Sequence, residues 1–196
     1  IPRGHLWGWT TMISANTLHV VATELVVGAF ALSGVAFLLC LAHQYLPVSI
    51  RSSYRSLDAV AHSAMLFGLI ATPFAIWTGL SSAPGGEMSS PILANKMLFS
   101  MSGLGLASGV LLARWRVGIS LWDEARSRLI QAVSGLGAVG FMLLTASAGG
   151  TFSRGESLLD WLHLPYGEVL LMPVALSALL LLVGIACTTF GLRSNA

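Results

Sequence analysis

Charge is what this sequence has least of. Lys, Arg, Asp and Glu make up 9% of its 196 residues, against 55% hydrophobic, where a soluble domain carries roughly 25% charged side chains. A chain so poor in charge cannot keep a solvated surface, so most of that surface must face lipid or partner subunits. The formal net charge of +2 is too small to imply nucleic acid as a partner. The basic residues sit in short connecting segments, where they report membrane orientation rather than a polyanionic ligand. Cysteine is nearly absent as well. Cys40 and Cys187 each lie inside an apolar run, which excludes a disulfide framework or a zinc-type spacing and leaves two small buried hydrophobes.

The motifs of self-contained catalysis are also missing. There is no Ser/His/Asp arrangement, no HExxH, no paired-carboxylate motif and no His-rich copper cluster. The glycine-rich AGGTFSRG at 148–155 lacks the GK[ST] ending of a phosphate loop and reads as the turn leaving a helix. A non-catalytic subunit is the expectation. No cleavable signal peptide is visible, and Ile1 in place of Met leaves room for residues missing or processed before it.

What is present in abundance is long apolar runs. A transmembrane helix needs roughly 20 predominantly apolar residues, and the chain offers five such stretches, at about 17–46, 57–80, 92–113, 129–148 and 168–192. None alternates as a barrel strand would, and unpaired backbone in lipid is too costly for anything but helices. The expected fold is an all-α integral membrane bundle of five helices forming one domain over 1–196, with 1–16 as an outer interfacial segment. Arg51 and Arg55 follow the first span, and Arg114, Arg116, Arg126 and Arg128 follow the third. The positive-inside rule puts both connections in the cytoplasm. The N-terminus is then outside, and the C-terminus, with Arg193, is cytoplasmic. The plasma membrane is the expected location.

Trp7, Trp9 and Trp161 read as outer interfacial anchors, and Trp115 and Trp122 as inner ones. Gly103, Gly105 and Gly109 in the third span, and Gly135, Gly137 and Gly140 in the fourth, let helix backbones approach closely and put both spans inside the bundle. Pro73 and Pro173 are expected to kink the second and fifth spans. The fifth, with no ionisable group beyond Glu168 at its mouth, is expected to face lipid or a partner.

Ionisable residues inside a membrane are functional candidates by default, and here they are few. His43 and His62 both lie near the cytoplasmic ends of antiparallel neighbouring spans, at similar depth. Two neutral imidazoles from facing helices are the minimum for axial ligation of a b-type haem. The competing reading is two interfacial histidines satisfied by water, headgroups or carbonyls. His19 and His163 form a second such pair on the outer side, with the same two readings. Glu24, roughly 10 Å along the first helix from Thr17 at 1.5 Å per residue, must be paired, protonated or hydrated. Lys96 and Glu168 enter from the same side, with Asn16 and Asn95 near the same level. A polar cluster of Glu24, Lys96 and Glu168 is expected, serving as a structural ion pair or as part of a proton path, quinol site or haem-propionate clamp.

Two family resemblances rest on particular stretches. NTLHVVATELVVGAF (16–30) and SAGGTFSRGES (147–157) resemble the first-helix and fourth-helix motifs of a domain of unknown function, an uncharacterised family of small four-helix prokaryotic membrane proteins. His19 falls at the family's histidine, Glu24 at an apolar position and Arg154 where histidine is frequent. That resemblance covers about 16–157 and makes the fifth helix an addition. NKMLFSMSGLGLASGVLLARWR (95–116), HSAMLFG (62–68) and LHLPYGEVLL (162–171) resemble the gamma subunit of respiratory nitrate reductase, a five-helix protein holding two b haems. That family draws two histidines from each of its second and fifth helices; this chain has one in the second and none within the fifth.

The leading expectation is a membrane-integral subunit of an electron-transfer, respiratory-type complex, holding haem b at His43, His62, His19 or His163. Its partners would be other subunits of the complex, lipid and quinone. The alternative is a cofactor-free structural accessory subunit of a larger membrane complex. A small transporter or channel built on Glu24 and Lys96 ranks third, because neither inverted repeats nor broken helices are evident.

Overall fold

A computed structural model describes residues 13–51, 53–82, 90–157 and 159–193. Trp7 and Trp9 lie outside the described residues. All regular structure among them is helical: α1 (Ala15–Ala42), a short α2 (Val48–Arg51), α3 (Tyr54–Ser82), α4 (Pro91–Val117), α5 (Ala125–Arg154) and α6 (Val174–Arg193). Five of these, all but α2, are long and apolar enough to cross a membrane.

Local chemistry sets several of the ends. Ser14 caps α1, its hydroxyl accepting from the Thr17 amide at 3.1 Å, which satisfies one of the donors a helix start leaves open. Pro91 opens α4, where a missing N–H costs nothing. Arg114 and Arg116 occupy its last turn and oppose the negative end of its dipole. The AGGTFSRG stretch is helix rather than turn: α5 continues through Arg154 and stops at Gly155, whose left-handed φ of 76° returns its amide to the Thr151 carbonyl. Pro173 does not kink a span. It stands immediately before α6, so the last helix begins at Val174 and not at Glu168.

Helices α1, α3, α4 and α5 form a four-helix bundle. α1 packs chiefly on α3 and then on α5, α4 packs on α5, and α3 and α4 touch more lightly. The rings of Phe30 and Phe37, both fully buried on α1, seat on Gly68 of α3 and Gly135 of α5. An added Cβ would stand 2.7 Å from the first ring and 2.8 Å from the second. α6 lies outboard, packed chiefly against α4. Gly105 and Gly184 make that crossing: a Cβ on Gly105 would collide with the Leu180 carbonyl, and one on Gly184 with the backbone of Gly105. The glycines of α4 therefore serve two neighbours and not one face, since Gly103 backs onto Met142 of α5. Cys40 is buried and Cys187 is exposed on α6.

One end of the bundle gathers Arg114, Arg116, Arg126 and Arg128; we call it the basic end. A second, smaller core of Leu98, Phe99, Ala148, Tyr166 and Met172 closes the opposite end. Here Asn95 holds the non-helical segment before α6. Its amide nitrogen donates to the Tyr166 and Val169 carbonyls at 3.0 and 2.8 Å, and its oxygen accepts from the Leu171 amide at 2.8 Å. The Tyr166 hydroxyl donates to Ser147 of α5 at 2.9 Å.

Candidate functional site

The densest polar chemistry in the described structure lies at the basic end and centres on Asp58. One turn into α3, this carboxylate is 1% exposed. Arg114, from the last turn of α4, donates Nε to Oδ1 and Oδ2 at 3.1 and 2.8 Å, and sets a terminal nitrogen 2.7 Å from Oδ2. The indole of Trp122, from the α4–α5 connection, donates to Oδ1 at 2.7 Å. Trp122 is thus no interfacial anchor; it is 2% exposed, because its N–H finds an acceptor inside the protein. Trp115 and Trp161 do lie exposed, as anchors would.

His62 extends the network one helical turn along α3. Its Nδ1 is 2.8 Å from the Asp58 carbonyl and 3.1 Å from Oδ1. Its Nε2 is 2.9 Å from the amide nitrogen of Gln131 on α5, and that same nitrogen donates to the Val110 carbonyl at 3.0 Å. The Val110 carbonyl can only accept, so it fixes the orientation of the Gln131 amide. One Gln131 hydrogen then points at Nε2, which must present its lone pair, and the ring proton sits on Nδ1, facing Asp58. The network is closed around Asp58 and His62, with both carboxylate oxygens, both ring nitrogens and the Gln131 amide nitrogen each matched to a group of opposite role. It joins α3, α4, α5 and the α4–α5 connection.

An aromatic shell surrounds it. The Phe37 ring meets His62 edge-on at 5.1 Å, and Tyr54 meets Trp122 at 6.2 Å. The His43 ring lies tilted against Tyr54, with centroids 4.6 Å apart. The buried Tyr54 hydroxyl has no hydrogen-bond partner among the described residues.

The two histidines expected at this end are thus placed differently. His43 lies just past α1 in a 3-10 turn, and its Nδ1 donates to the Cys40 carbonyl at 3.0 Å. His62 spends both ring nitrogens on the protein. Haem iron needs the Nε2 lone pair that Gln131 occupies, so His62 in this arrangement does not fit axial ligation. At the opposite end, His19 donates Nδ1 to the Ala75 carbonyl at 3.0 Å, with Thr78 Oγ1 at 3.3 Å. His163, exposed and at φ 49°, donates Nδ1 to the Trp161 carbonyl at 3.0 Å. A carbonyl accepts only, so His19, His43 and His163 all carry the Nδ1–H tautomer. No hydrogen bond to a described residue occupies their Nε2 atoms. That is the state in which second-shell carbonyls prepare imidazoles for a metal, although no group of three His, Cys, Asp or Glu side chains gathers among the described residues.

Glu24, Lys96 and Glu168 are not joined by any ion pair or hydrogen bond among the described residues. The buried stripe of α1 runs through Ala22, Val26, Phe30, Ser33 and Phe37, which turns Glu24 outward, away from the bundle. Lys96 lies over Gly149 of α5, where an added Cβ would come within 3.3 Å of Nζ. Glu168 is exposed in the turn before α6, and Asn16 is exposed near the start of α1. Only Asn95 of the expected cluster is fully engaged, and its partners are backbone groups.

Asp58 and Gln131 are the residues that sequence reasoning passed over. Their signals were present: an acid four residues before His62 on one helix face, and a carboxamide in an otherwise apolar span. Comparison of the chain with protein-family models, with curated proteins and with solved structures finds no match.

Proposed function

We propose that this chain is a membrane-integral, non-catalytic subunit of a larger assembly. The observation that carries the reading is the closed network around Asp58. Intramembrane charge is expensive and normally marks chemistry or transport; here the carboxylate, guanidinium, imidazole, indole and carboxamide are spent on one another. Such a network holds helices in one mutual geometry, which suits a part that must present a fixed surface. By the positive-inside rule the basic end faces the cytoplasm and the Asn95 end faces outward, across the plasma membrane.

A second reading, a subunit of an electron-transfer complex holding b-type haem, draws on the three histidines whose Nε2 atoms stay uncommitted within the described protein. His19, His43 and His163 would be the ligands it offers, and a bound haem would supply one-electron transfer at its iron. His62 would take no part.

Purification from the native membrane in a mild detergent tests the first reading. The chain is expected to migrate with other polypeptides in fixed stoichiometry. Recovery as a folded, lone polypeptide from membranes at native expression would refute it. A reduced-minus-oxidised absorption spectrum of the same material decides the second. A haem band lost on replacing His19, His43 or His163 supports it, and a band unchanged in all three variants removes these ligands.

A further inference from the structure

Glu24 stands on the outward surface of α1 with no hydrogen-bond or ion-pair partner among the described residues, in a face that is apolar from Val21 to Leu38 apart from Glu24 itself. Val21 is 49% exposed, Val35 56% and Leu38 52%. α1 has 28 residues, about 42 Å at 1.5 Å per residue, and the hydrocarbon core of a bilayer is about 30 Å thick. Centred in that core, the helix carries Glu24 about 8 Å below its edge. Lipid tails cannot solvate a carboxylate at that depth, so the group calls for a partner.

The spacing of the face says what shape of partner. Thr17, Val21, Glu24, Gly28, Val35 and Leu38 follow one another in steps of four and three, with half-buried Ala31 completing the series. That alternation is the seam of a left-handed helix pair. At its middle Gly28 is open: a Cβ there would meet nothing within 4 Å. Beside the carboxylate, the seam thus has a bare backbone against which a second helix can close.

From these observations we infer that the outward face of α1 is a docking seam for a transmembrane helix of a different chain, one that brings a Lys, Arg or His side chain to the depth of Glu24. Charge argues against a second copy of this chain. A two-fold pairing along the same seam would set Glu24 opposite Glu24, and like charges at close range in low dielectric repel strongly. A cationic side chain from another helix neutralises the carboxylate as Arg114 neutralises Asp58. The inference rests on the subunit reading above and names where and by what chemistry one partner binds.

The test uses the full chain in lipid nanodiscs and three synthetic transmembrane peptides of one apolar host sequence. They carry Lys, Leu or Glu at the position level with Glu24. The Lys peptide is expected to bind about tenfold more tightly than the Leu peptide, with the Glu peptide weakest. Glu24→Gln should erase the difference without changing the thermal unfolding of the chain. Equal binding of Lys and Leu peptides, or binding of none, overturns the inference, as does self-association of the chain that blocks this face. In native membranes, a photocrosslinker at Val35 should capture a helix with a basic residue within one turn of the depth of Glu24. If the chain purifies within an assembly but the crosslinker reaches only lipid, this inference falls and the subunit reading stands. If the chain purifies alone, the subunit reading falls, and this inference falls with it.

Discussion

Removing Arg114 should cost this protein more than removing the charge of Asp58, although the two side chains form one ion pair. The reason is the asymmetry of their surroundings. The carboxylate is 1% exposed and the guanidinium 29%. Arg114→Ala leaves Asp58 as a buried anion held only by Trp122 and His62, and stranding one partner of a buried pair costs about 3–5 kcal/mol. Asp58→Asn instead releases a cation at the end of its helix, where its long stem can carry the charged head to water. What remains is a carboxamide whose NH2 meets Arg114 donors, a loss of about 1–3 kcal/mol. Combining Asp58→Asn with Arg114→Ala removes both charges. Its cost should fall short of the sum of the single changes by about 1–3 kcal/mol. Equilibrium unfolding by SDS in mixed micelles, followed by circular dichroism, measures all three. If Asp58→Asn proved as costly as Arg114→Ala, or if the two changes were strictly additive, the carboxylate would not be the buried member of a coupled pair, and the account of this network would be wrong.

Two further outcomes follow from the packing. Gly184→Val should displace α6 from α4, because its Cβ would overlap the backbone of Gly105. Overpacking of this kind costs about 1–3 kcal/mol; Gly109→Ala, with nothing within 4 Å of the added Cβ, should stay within about 0.5 kcal/mol of the parent. Cysteine crosslinking between α4 and α6 reports the displacement, and an unchanged crosslinking yield in Gly184→Val would contradict the close crossing. Asn95→Ala removes three hydrogen bonds to the segment before α6, together worth about 1.5–4.5 kcal/mol. Faster hydrogen exchange at the Leu171 amide should accompany the loss, with the basic end unaffected.

The class of the protein was legible in its composition. A chain with 9% charged residues and five long apolar runs has one physical solution, because each helix satisfies its own backbone and needs no knowledge of its neighbours. The outlying place of the fifth helix was legible for the same reason, since no ionisable group within its apolar run asks for a partner. The ends of helices were less so. The stretch 148–155 reads as a turn, but α5 runs through Arg154 and only Gly155 turns the chain; Pro173 reads as a kink, but it stands before the first residue of α6.

What only the tertiary structure decided was which polar groups meet. Arg114 and Asp58 are 56 residues apart in the chain, and Gln131 and His62 are 69 apart. Hydropathy ranks such residues by cost but carries no information on which helix faces which. His43 and His62 share a depth, as their positions implied, yet one lies in a turn against Tyr54 and the other is consumed between Asp58 and Gln131. Depth follows from the count of residues along a helix. Pairing depends on rotation about the helix axis, and that is set by where Phe30 and Phe37 find glycines to lie against. The same rotation turned Glu24 outward and away from Lys96.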